Sequence, residues 1–272
     1  MPAIQLAHLR QKCAAIADHF DQPDVVVSDM HALFNLYADR THRTGQTGEP
    51  PPLLLSYNVR KPVLRQVLIE IRPRVTTNPT AAFQLCDLLW REKYYEMRLL
   101  ATQVLGLIAP FPPDPILDRV VWWIKSTPDE QFQRVILEQA LSSLRVENPE
   151  RLITQTNEWL ANPDFKVIKM GLMAINPLIT SSEYANIPTF YRSISPFVRS
   201  LPSPLRENVR ETIESLAKRS PKETAHFLRQ HLMITDNQDA AWLTRQCIEF
   251  FPAELQESLR SLLRAGPKIN AR

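Results

Sequence analysis

Positively charged side chains are the residues of this chain whose types and spacing suggest the clearest chemistry. Lysine and arginine neutralise phosphate groups, so a cluster of them on one surface suits the backbone of a nucleic acid. The competing interpretation is a helix face that is only solvated. The candidate nucleic-acid-binding residues form two groups, Arg60, Lys61, Arg65, Arg72 and Arg74 in the first and Lys166 and Lys169 in the second.

The charge is uneven along the 272 residues, although the formal net charge is only +3. Residues 51–110 and 151–220 carry more Lys and Arg than Asp and Glu, whereas residues 111–150 are acidic overall. A surface that grips DNA is expected to be basic throughout, because phosphate neutralisation supplies most non-specific affinity. A DNA-binding surface built from the whole chain would therefore be interrupted near its middle.

Several other kinds of site are disfavoured by composition. The six histidines are scattered without an HExxH pattern, and the three cysteines form no CxxC pair, so we expect no metal. Five glycines are too few for the loops that cradle nucleotides, so we expect no cofactor. Unpaired thiols are typical of a cytoplasmic protein, and no apolar run approaches the length of a membrane span.

Prolines mark the expected helix starts. Proline repeatedly follows a small polar residue, which is the order of an N-cap residue and the first helical position. Six pairs show it: Asn78-Pro79, Thr127-Pro128, Asn148-Pro149, Asn162-Pro163, Ser203-Pro204 and Ser220-Pro221. A capping box is predicted for Thr127 with Glu130 and for Ser220 with Glu223.

Apolar residues recur at helical spacing in segment after segment, and no segment has the alternation of a strand. Short connections between such segments predict antiparallel neighbours, so the fold class is all-α, an α-solenoid of HEAT-like helix pairs with a C shape and a concave face. We expect an N-terminal helical hairpin over residues 1–38, a mobile loop over 39–52, and a repeat array over 53–272 that packs continuously with the hairpin. The paired Trp122 and Trp123 are predicted to be core residues.

Four segments resemble a known family in order and spacing, together covering roughly residues 53–230. They are Ser56 to Arg65, Leu85 to Ala101 with its LCDLLW and YYEMRLLA strings, Asn148 to Ala161, and Leu216 to Pro221. They are similar to segments of the AlkD-like DNA alkylation repair proteins, which are alkylpurine DNA glycosylases of the HEAT-like-repeat superfamily. The resemblance implies a solenoid whose concave face binds DNA carrying a damaged, positively charged purine.

The resemblance also implies where catalytic residues would lie, and the sequence departs from the pattern there. The family places a W-D-x-V-D pattern before the Asn-Pro-Glu turn, and its carboxylate stabilises positive charge on the sugar. An ungapped count back from Asn148 places the tryptophan position at Glu130 and the aspartate position at Arg134. A second tryptophan of the cleft corresponds to Glu211, and a basic residue is retained as Lys169.

Three hypotheses about function follow. The first is a non-catalytic relative of the DNA alkylation repair proteins that binds nucleic acid or a protein partner on its concave face. The second is an active glycosylase with relocated catalytic residues. The third is a protein–protein scaffold without DNA affinity. A basic and aromatic cleft would favour DNA, and a cleft of mixed charge would favour protein.

Overall fold

The structure is a computed structural model, and it describes residues 5–39, 54–182, 184–234 and 237–265. Fifteen α-helices and two short 3₁₀ turns, with one isolated bridge between Leu55 and Tyr94, make up the regular structure of these residues. The all-α prediction is confirmed, and helix pairs are the repeating unit. The chain divides into two compact units, Met1–Asn148 and Pro149–Arg272.

The first unit contains eight helices in two rows. The helices are α1 (Leu6–Asp18), α2 (Pro23–Tyr37), α3 (Lys61–Thr77), α4 (Pro79–Arg91), α5 (Tyr95–Leu105), α6 (Asp114–Ser126), α7 (Glu130–Ala140) and α8 (Ser142–Glu147). Helices α1, α3, α5 and α7 pack on one another in succession, and α2 packs on α4. Helix α6 joins α4 through a bidentate ion pair of Arg119 with Asp87, with N–O distances of 2.8 and 2.7 Å.

The second unit repeats this arrangement. Its helices are α9 (Pro149–Leu160), α10 (Phe165–Thr180), α11 (Ile187–Arg199), α12 (Arg206–Arg219), α13 (Pro221–Leu232), α14 (Gln238–Cys247) and α15 (Ala253–Ala265). Helices α10, α12 and α14 form one row, whereas α11, α13 and α15 form the other, and α9 packs on α10. Each helix therefore buries its apolar face against neighbours of its own unit, as repeat proteins require.

Three of the six predicted helix starts are confirmed, one opens a 3₁₀ turn instead, and two are wrong. Helix α4 begins after Asn78, whose side chain accepts a hydrogen bond from the Ala81 amide at 3.1 Å. Helices α9 and α13 begin at Pro149 and Pro221 as predicted, whereas Ser203 opens a 3₁₀ turn that leads into α12. Asn162 does not cap α10, because Asp164 occupies that position and bonds the Lys166 amide at 2.9 Å.

The capping box of Thr127 with Glu130 is also wrong. Helix α7 begins at Glu130, and its cap is Asp129, whose carboxylate accepts hydrogen bonds from the amides of Gln131 and Phe132. The Thr127 hydroxyl instead donates to the Trp123 carbonyl at the end of α6, at 2.8 Å. Ser220 and Glu223 do meet, with the Ser220 hydroxyl 2.9 Å from the Glu223 carboxylate, but Ser220 makes no side-chain cap bond to the helix amides.

Gly106 allows a close approach in the first unit. A Cβ at this position would lie 2.0 Å from the Gln139 carbonyl oxygen, so only glycine fits between the end of α5 and the end of α7. The Ser142 hydroxyl donates to the Gly106 carbonyl at 2.9 Å and ties α8 to the same point. The positions of α5 and α7, which carries Glu130 and Arg134, are fixed together.

The described residues cover only part of the predicted division of the chain into hairpin, loop and repeat array. Helices α1 and α2 pack together as a pair, and the loop predicted over residues 39–52 lies outside the described residues except for Asp39. The continuity of the repeat array across both units stays a prediction. No helix in the described ranges is long and apolar enough to cross a membrane.

Candidate nucleic-acid interface

Three of the predicted cations share one face of α3. Lys61, Arg65 and Arg72 fall within about 40° of one another around the helix axis, because an α-helix turns 100° per residue. All three side chains are exposed, whereas the opposite side of the helix is buried against its neighbours. We call these three residues the α3 basic face. It presents three positive charges to solvent from a single rigid element.

Of the remaining two predicted cations of this segment, Arg60 adjoins the α3 basic face and Arg74 lies apart from it. Arg60 is exposed at the N-cap of α3, one residue before the helix. Arg74 is turned towards α1, where its guanidinium lies 3.2 Å from the Asp18 carboxylate. Four of the five predicted cations therefore lie together, since Arg60 precedes the three residues of the α3 basic face. Arg74 instead forms an ion pair with Asp18.

The start of α3 is unusual in its charge. Arg60, Lys61 and Arg65 cluster at the end of the helix where the backbone dipole is already positive, and the first turn contains no acidic residue. Cations at this end cost about 0.3–1 kcal/mol each, since the helix dipole favours anions there. The side chains and the dipole together create a region of positive potential that suits a phosphate group.

A buried carboxylate fixes the segment that leads into α3. Glu96, in the first turn of α5, is only 2% exposed. It accepts hydrogen bonds from the Ser56 hydroxyl at 2.7 Å, the Tyr57 amide at 3.1 Å and the Val59 amide at 3.3 Å. Asn58 between them adopts a left-handed backbone with φ of 54°. Glu96 thereby sets where Arg60 and the α3 basic face begin.

Aromatic side chains also hold the segment that leads into α3. Tyr57 stacks on Tyr94 with ring centroids 4.1 Å apart, and its hydroxyl lies 2.6 Å from His31 Nδ1. His31 Nε2 lies 3.2 Å from the Glu92 carboxylate. Burial and the neighbouring Tyr94 raise the pKa of Tyr57 well above its usual range, so the phenol stays protonated. Helix α2 is joined in this way to the segment before α3 and to the start of α5.

The charged residues at the start of α7 are already engaged with one another. Arg134 Nη2 lies 3.4 Å from Glu130 Oε1, one helical turn away, and both side chains are partly exposed. Asp129 is occupied as the helix cap. Each charge at this position is therefore offset by an opposite charge or by backbone amides of the same helix.

Three of the tryptophans are buried, and Trp122 is exposed. Trp123 is fully buried and stacks on Trp90 with centroids 4.4 Å apart, so its predicted core role is confirmed, and Trp90 and Trp159 are buried as well. Trp122 is 53% exposed, and its predicted core role is wrong. Adjacent residues of a helix point about 100° apart, so α6 buries one of the pair and exposes the other.

Two predicted cations lie on α10 in the second unit. Lys166 is exposed, and Lys169 is half-buried. Both lie near the start of the helix, where the backbone amide of Lys166 bonds the capping Asp164. Each unit thus carries its own candidate phosphate contacts.

Helix α12, which carries Glu211, neutralises its own charges. Arg210 lies 2.7 Å from Glu207 and 3.2 Å from Glu214, and Lys218 lies 2.7 Å from Glu214. The hydrogen bonds that Arg210 donates to Glu207 raise the pKa of Arg210, and the hydrogen bond that Lys218 donates to Glu214 lowers the pKa of Glu214. Because these positive and negative side chains are paired on α12, this part of the helix attracts a polyanion only weakly.

The Arg219 side chain at the end of α12 is bonded to backbone carbonyl groups of the protein itself. Its guanidinium donates to the carbonyl groups of Leu178, Ile179, Ser181 and Tyr184, at and beyond the end of α10. A cation at a helix C-terminus satisfies carbonyls that have no partner within the helix. The positive charge of Arg219 therefore serves the packing of α10 on α12.

Residues 54–251 match the sequence model of a protein family described as DNA alkylation repair enzyme. The chain belongs to this family. The match begins at the segment that Glu96 holds and runs through α14, so it includes α3, α7, α10 and α12. No curated protein matches the sequence significantly.

The family match covers Glu130, Arg134 and Glu211 but does not test their predicted roles. Their correspondence to a tryptophan, an aspartate and a second tryptophan of the glycosylases stays a prediction. In the part of the chain that the structure describes, no group of three or more His, Cys, Asp or Glu could hold a metal ion.

The residue that sequence reasoning missed is Glu96. Its only signal was its place in the YYEMRLLA string.

Proposed function

We propose that this member of the DNA alkylation repair family binds DNA through the α3 basic face and does not excise bases. The observation that carries the proposal is the grouping of Lys61, Arg65 and Arg72, exposed together on a helix whose start is pinned by the buried Glu96. Contacts from such a face would reach phosphates and would position the protein without reading sequence. Lys166 and Lys169 would add contacts from α10.

The absence of base excision is supported by the charge at α7. Glycosidic bond cleavage develops positive charge on the sugar, and a nearby carboxylate lowers that barrier. The ungapped count from Asn148 puts Arg134 at the related position, and its guanidinium lies 3.4 Å from Glu130. A protein with Arg134 at this point would oppose the developing charge, and Glu130 and Glu211 supply no ring for stacking on a base.

A gel-shift titration at low and moderate salt tests the binding. We expect an affinity for duplex DNA of about micromolar or weaker at physiological salt, which falls steeply as salt is added. Replacing Lys61, Arg65 and Arg72 together by glutamate should weaken binding at least about tenfold, and each lost contact should lower the salt slope by about 1. Lys166→Glu with Lys169→Glu should weaken binding to all sequences alike.

Arg74→Glu is the matched control for the triple variant, because Arg74 lies on the same helix but pairs with Asp18. It should leave the affinity within about twofold, since one charge away from the interface contributes little. An equal loss from Arg74→Glu would contradict a contact made by the α3 basic face. If no shift occurs at low salt with duplex, single-stranded or branched probes, the protein scaffold is the function that survives.

A further inference from the structure

A groove between α11 and α13 in the second unit contains two adjoining cavities. One has a volume of about 380 Å³ and the other about 260 Å³. Tyr191, Phe227 and Gln230 line both, so the cavities form one continuous depression. This groove lies on the row of α11 and α13, not on the row of α10 and α12 that carries Lys166, Lys169 and Glu211.

The floor of the groove is aromatic, and its two rings pack on each other. Tyr191 and Phe227 pack on each other with centroids 5.0 Å apart at 32°, and Phe227 is only 7% exposed. The Tyr191 hydroxyl is also engaged, 2.8 Å from the Thr224 hydroxyl. Stacking of a nucleic-acid base needs an accessible ring, so this floor suits apolar side chains better than bases.

The rim of the groove is positively charged. Lys222 lies at the larger cavity, and Arg192 and Arg199 lie at the smaller one, all three exposed. Glu223 is the one acidic residue lining either cavity among the described residues, and it accepts a hydrogen bond from Ser220. Three cations against one engaged carboxylate give the groove a charge that would favour an acidic partner.

A buried histidine forms part of the wall of the smaller cavity. His231 is 5% exposed, and its Nε2 lies 3.2 Å from the Ser195 hydroxyl. Its Nδ1 is buried and has no hydrogen-bond partner within the described residues. Burial, followed by the nearby Arg199, lowers the pKa of His231, so the ring is neutral. A buried polar atom without a partner beside a cavity is the kind of position that a ligand group or a bound water satisfies.

We propose that this groove binds an acidic peptide segment of a partner protein, with apolar side chains in the two cavities and carboxylates facing Arg192, Arg199 and Lys222. Apolar anchors surrounded by a charged rim are the usual organisation of a peptide interface. Met233, which is 74% exposed, and Ile234, which is 43% exposed, extend the apolar surface beyond the end of α13. The groove is formed by α11 and α13, whereas the proposed DNA contacts lie on α3 and α10.

A displayed library of random twelve-residue peptides, selected on the full chain, tests this proposal. We expect the enriched peptides to combine two or more carboxylates with one or two large apolar residues. A fluorescein-labelled peptide of that consensus should lose about tenfold in affinity for Arg192→Glu with Arg199→Glu. Its affinity should fall further for Gln230→Trp, because Gln230 is exposed and borders both cavities.

The controls use the same substitutions on α14. Arg245→Glu and Gln246→Trp change exposed residues that line neither cavity, and they should leave peptide affinity unchanged. Far-UV circular dichroism of each variant checks that it is folded. Enrichment of basic peptides, or of peptides that bind Gln230→Trp as well as the unaltered protein, would overturn the proposal. Binding of labelled oligothymidine that Gln230→Trp abolishes would overturn it too, and would assign the groove to single-stranded nucleic acid.

Discussion

Arg134 is the side chain on which the proposed absence of base excision depends. Its guanidinium lies 3.4 Å from Glu130, one helical turn away. Exposed pairs at this spacing contribute only about 0.3–0.5 kcal/mol, so replacing Arg134 should change stability little. A substitution at this position therefore tests the chemistry without disturbing the fold.

We predict that neither the unaltered protein nor Arg134→Asp releases 7-methylguanine from methylated DNA. Aspartate would restore the carboxylate, but Glu130 and Glu211 would still stand at the related tryptophan positions. Chromatography of bases released from treated duplex, compared with a buffer control, measures this. Release by the unaltered protein would establish an active glycosylase with relocated residues, and release by the variant alone would show that the carboxylate is sufficient.

Glu96 is the residue on which the candidate interface depends structurally. Glu96→Ala would leave the Ser56 hydroxyl and the amides of Tyr57 and Val59 without their acceptor in a buried site. We expect the free energy of unfolding to fall by about 3 kcal/mol, because unsatisfied buried groups keep their full desolvation cost.

Urea unfolding followed by circular dichroism measures this loss. Glu147→Ala, at an exposed position on α8, is the matched control and should change the unfolding free energy by less than about 0.5 kcal/mol. A loss below about 1 kcal/mol for Glu96→Ala would mean that water replaces the carboxylate. Sequence alone could not find this residue, since its three partners lie 37 to 40 positions earlier in the chain.

Individual helices were the most predictable part of this molecule, and their first residues were less so. Apolar spacing predicted α4, α9 and α13 closely, because burial of one face dominates helix formation. The starts of α7 and α10 were misplaced, because an aspartate lies two residues after each expected cap and accepts the amide hydrogen bond instead. The sequence near a helix start cannot show which of two nearby polar residues is the cap. The packing of the helix on its neighbours decides it.

The junction of α5 with α7 gives a prediction about an element. Gly106→Ala should lower the unfolding free energy by about 2 kcal/mol or more, because the new methyl group would meet the Gln139 carbonyl oxygen and backbone must move. Gly106 has φ of −71°, so alanine incurs no conformational cost there and the loss is steric.

Gly171→Ala, inside α10, is the comparison for this measurement. Its Cβ would lie 3.0 Å from the flexible end of the Leu160 side chain and 3.2 Å from the Leu160 backbone nitrogen, and alanine favours the helix by about 1 kcal/mol. We expect a change of less than about 1 kcal/mol in thermal or urea unfolding. Equal effects at the two glycines would contradict the close approach of α5 to α7.

At the scale of the whole molecule, composition and repeat spacing predicted the fold class, and the family match over residues 54–251 agrees with the resemblance. The groove between α11 and α13 could not be predicted, because it depends on which helices pack as neighbours. The α3 basic face was only partly predictable. The sequence analysis treated the five cations as one group, although helical spacing alone puts Arg74 on the other side of α3. Only the pairing of Arg74 with Asp18 depends on how α3 packs on α1.

The three cysteines give a prediction for the folded chain as a whole. Cys13, Cys86 and Cys247 are all free and buried. Burial raises the pKa of Cys13 and of Cys247 to about 12, and raises that of Cys86 further. We expect no thiol to react with iodoacetamide in the native protein at neutral pH and all three to react in urea, as counted by mass spectrometry. Rapid labelling of Cys13 in the native protein would contradict this packing.

This burial has a consequence for the conditions in which such a protein would work. Methylating agents are electrophiles that attack thiolates as well as purines, and the thiolate is the reactive form of cysteine. A chain that keeps its three thiols protonated and enclosed is therefore resistant, while folded, to the same electrophiles that damage DNA. Since Cys13 and Cys86 lie in the first unit and Cys247 in the second, the order in which they become alkylated would record which unit opens first.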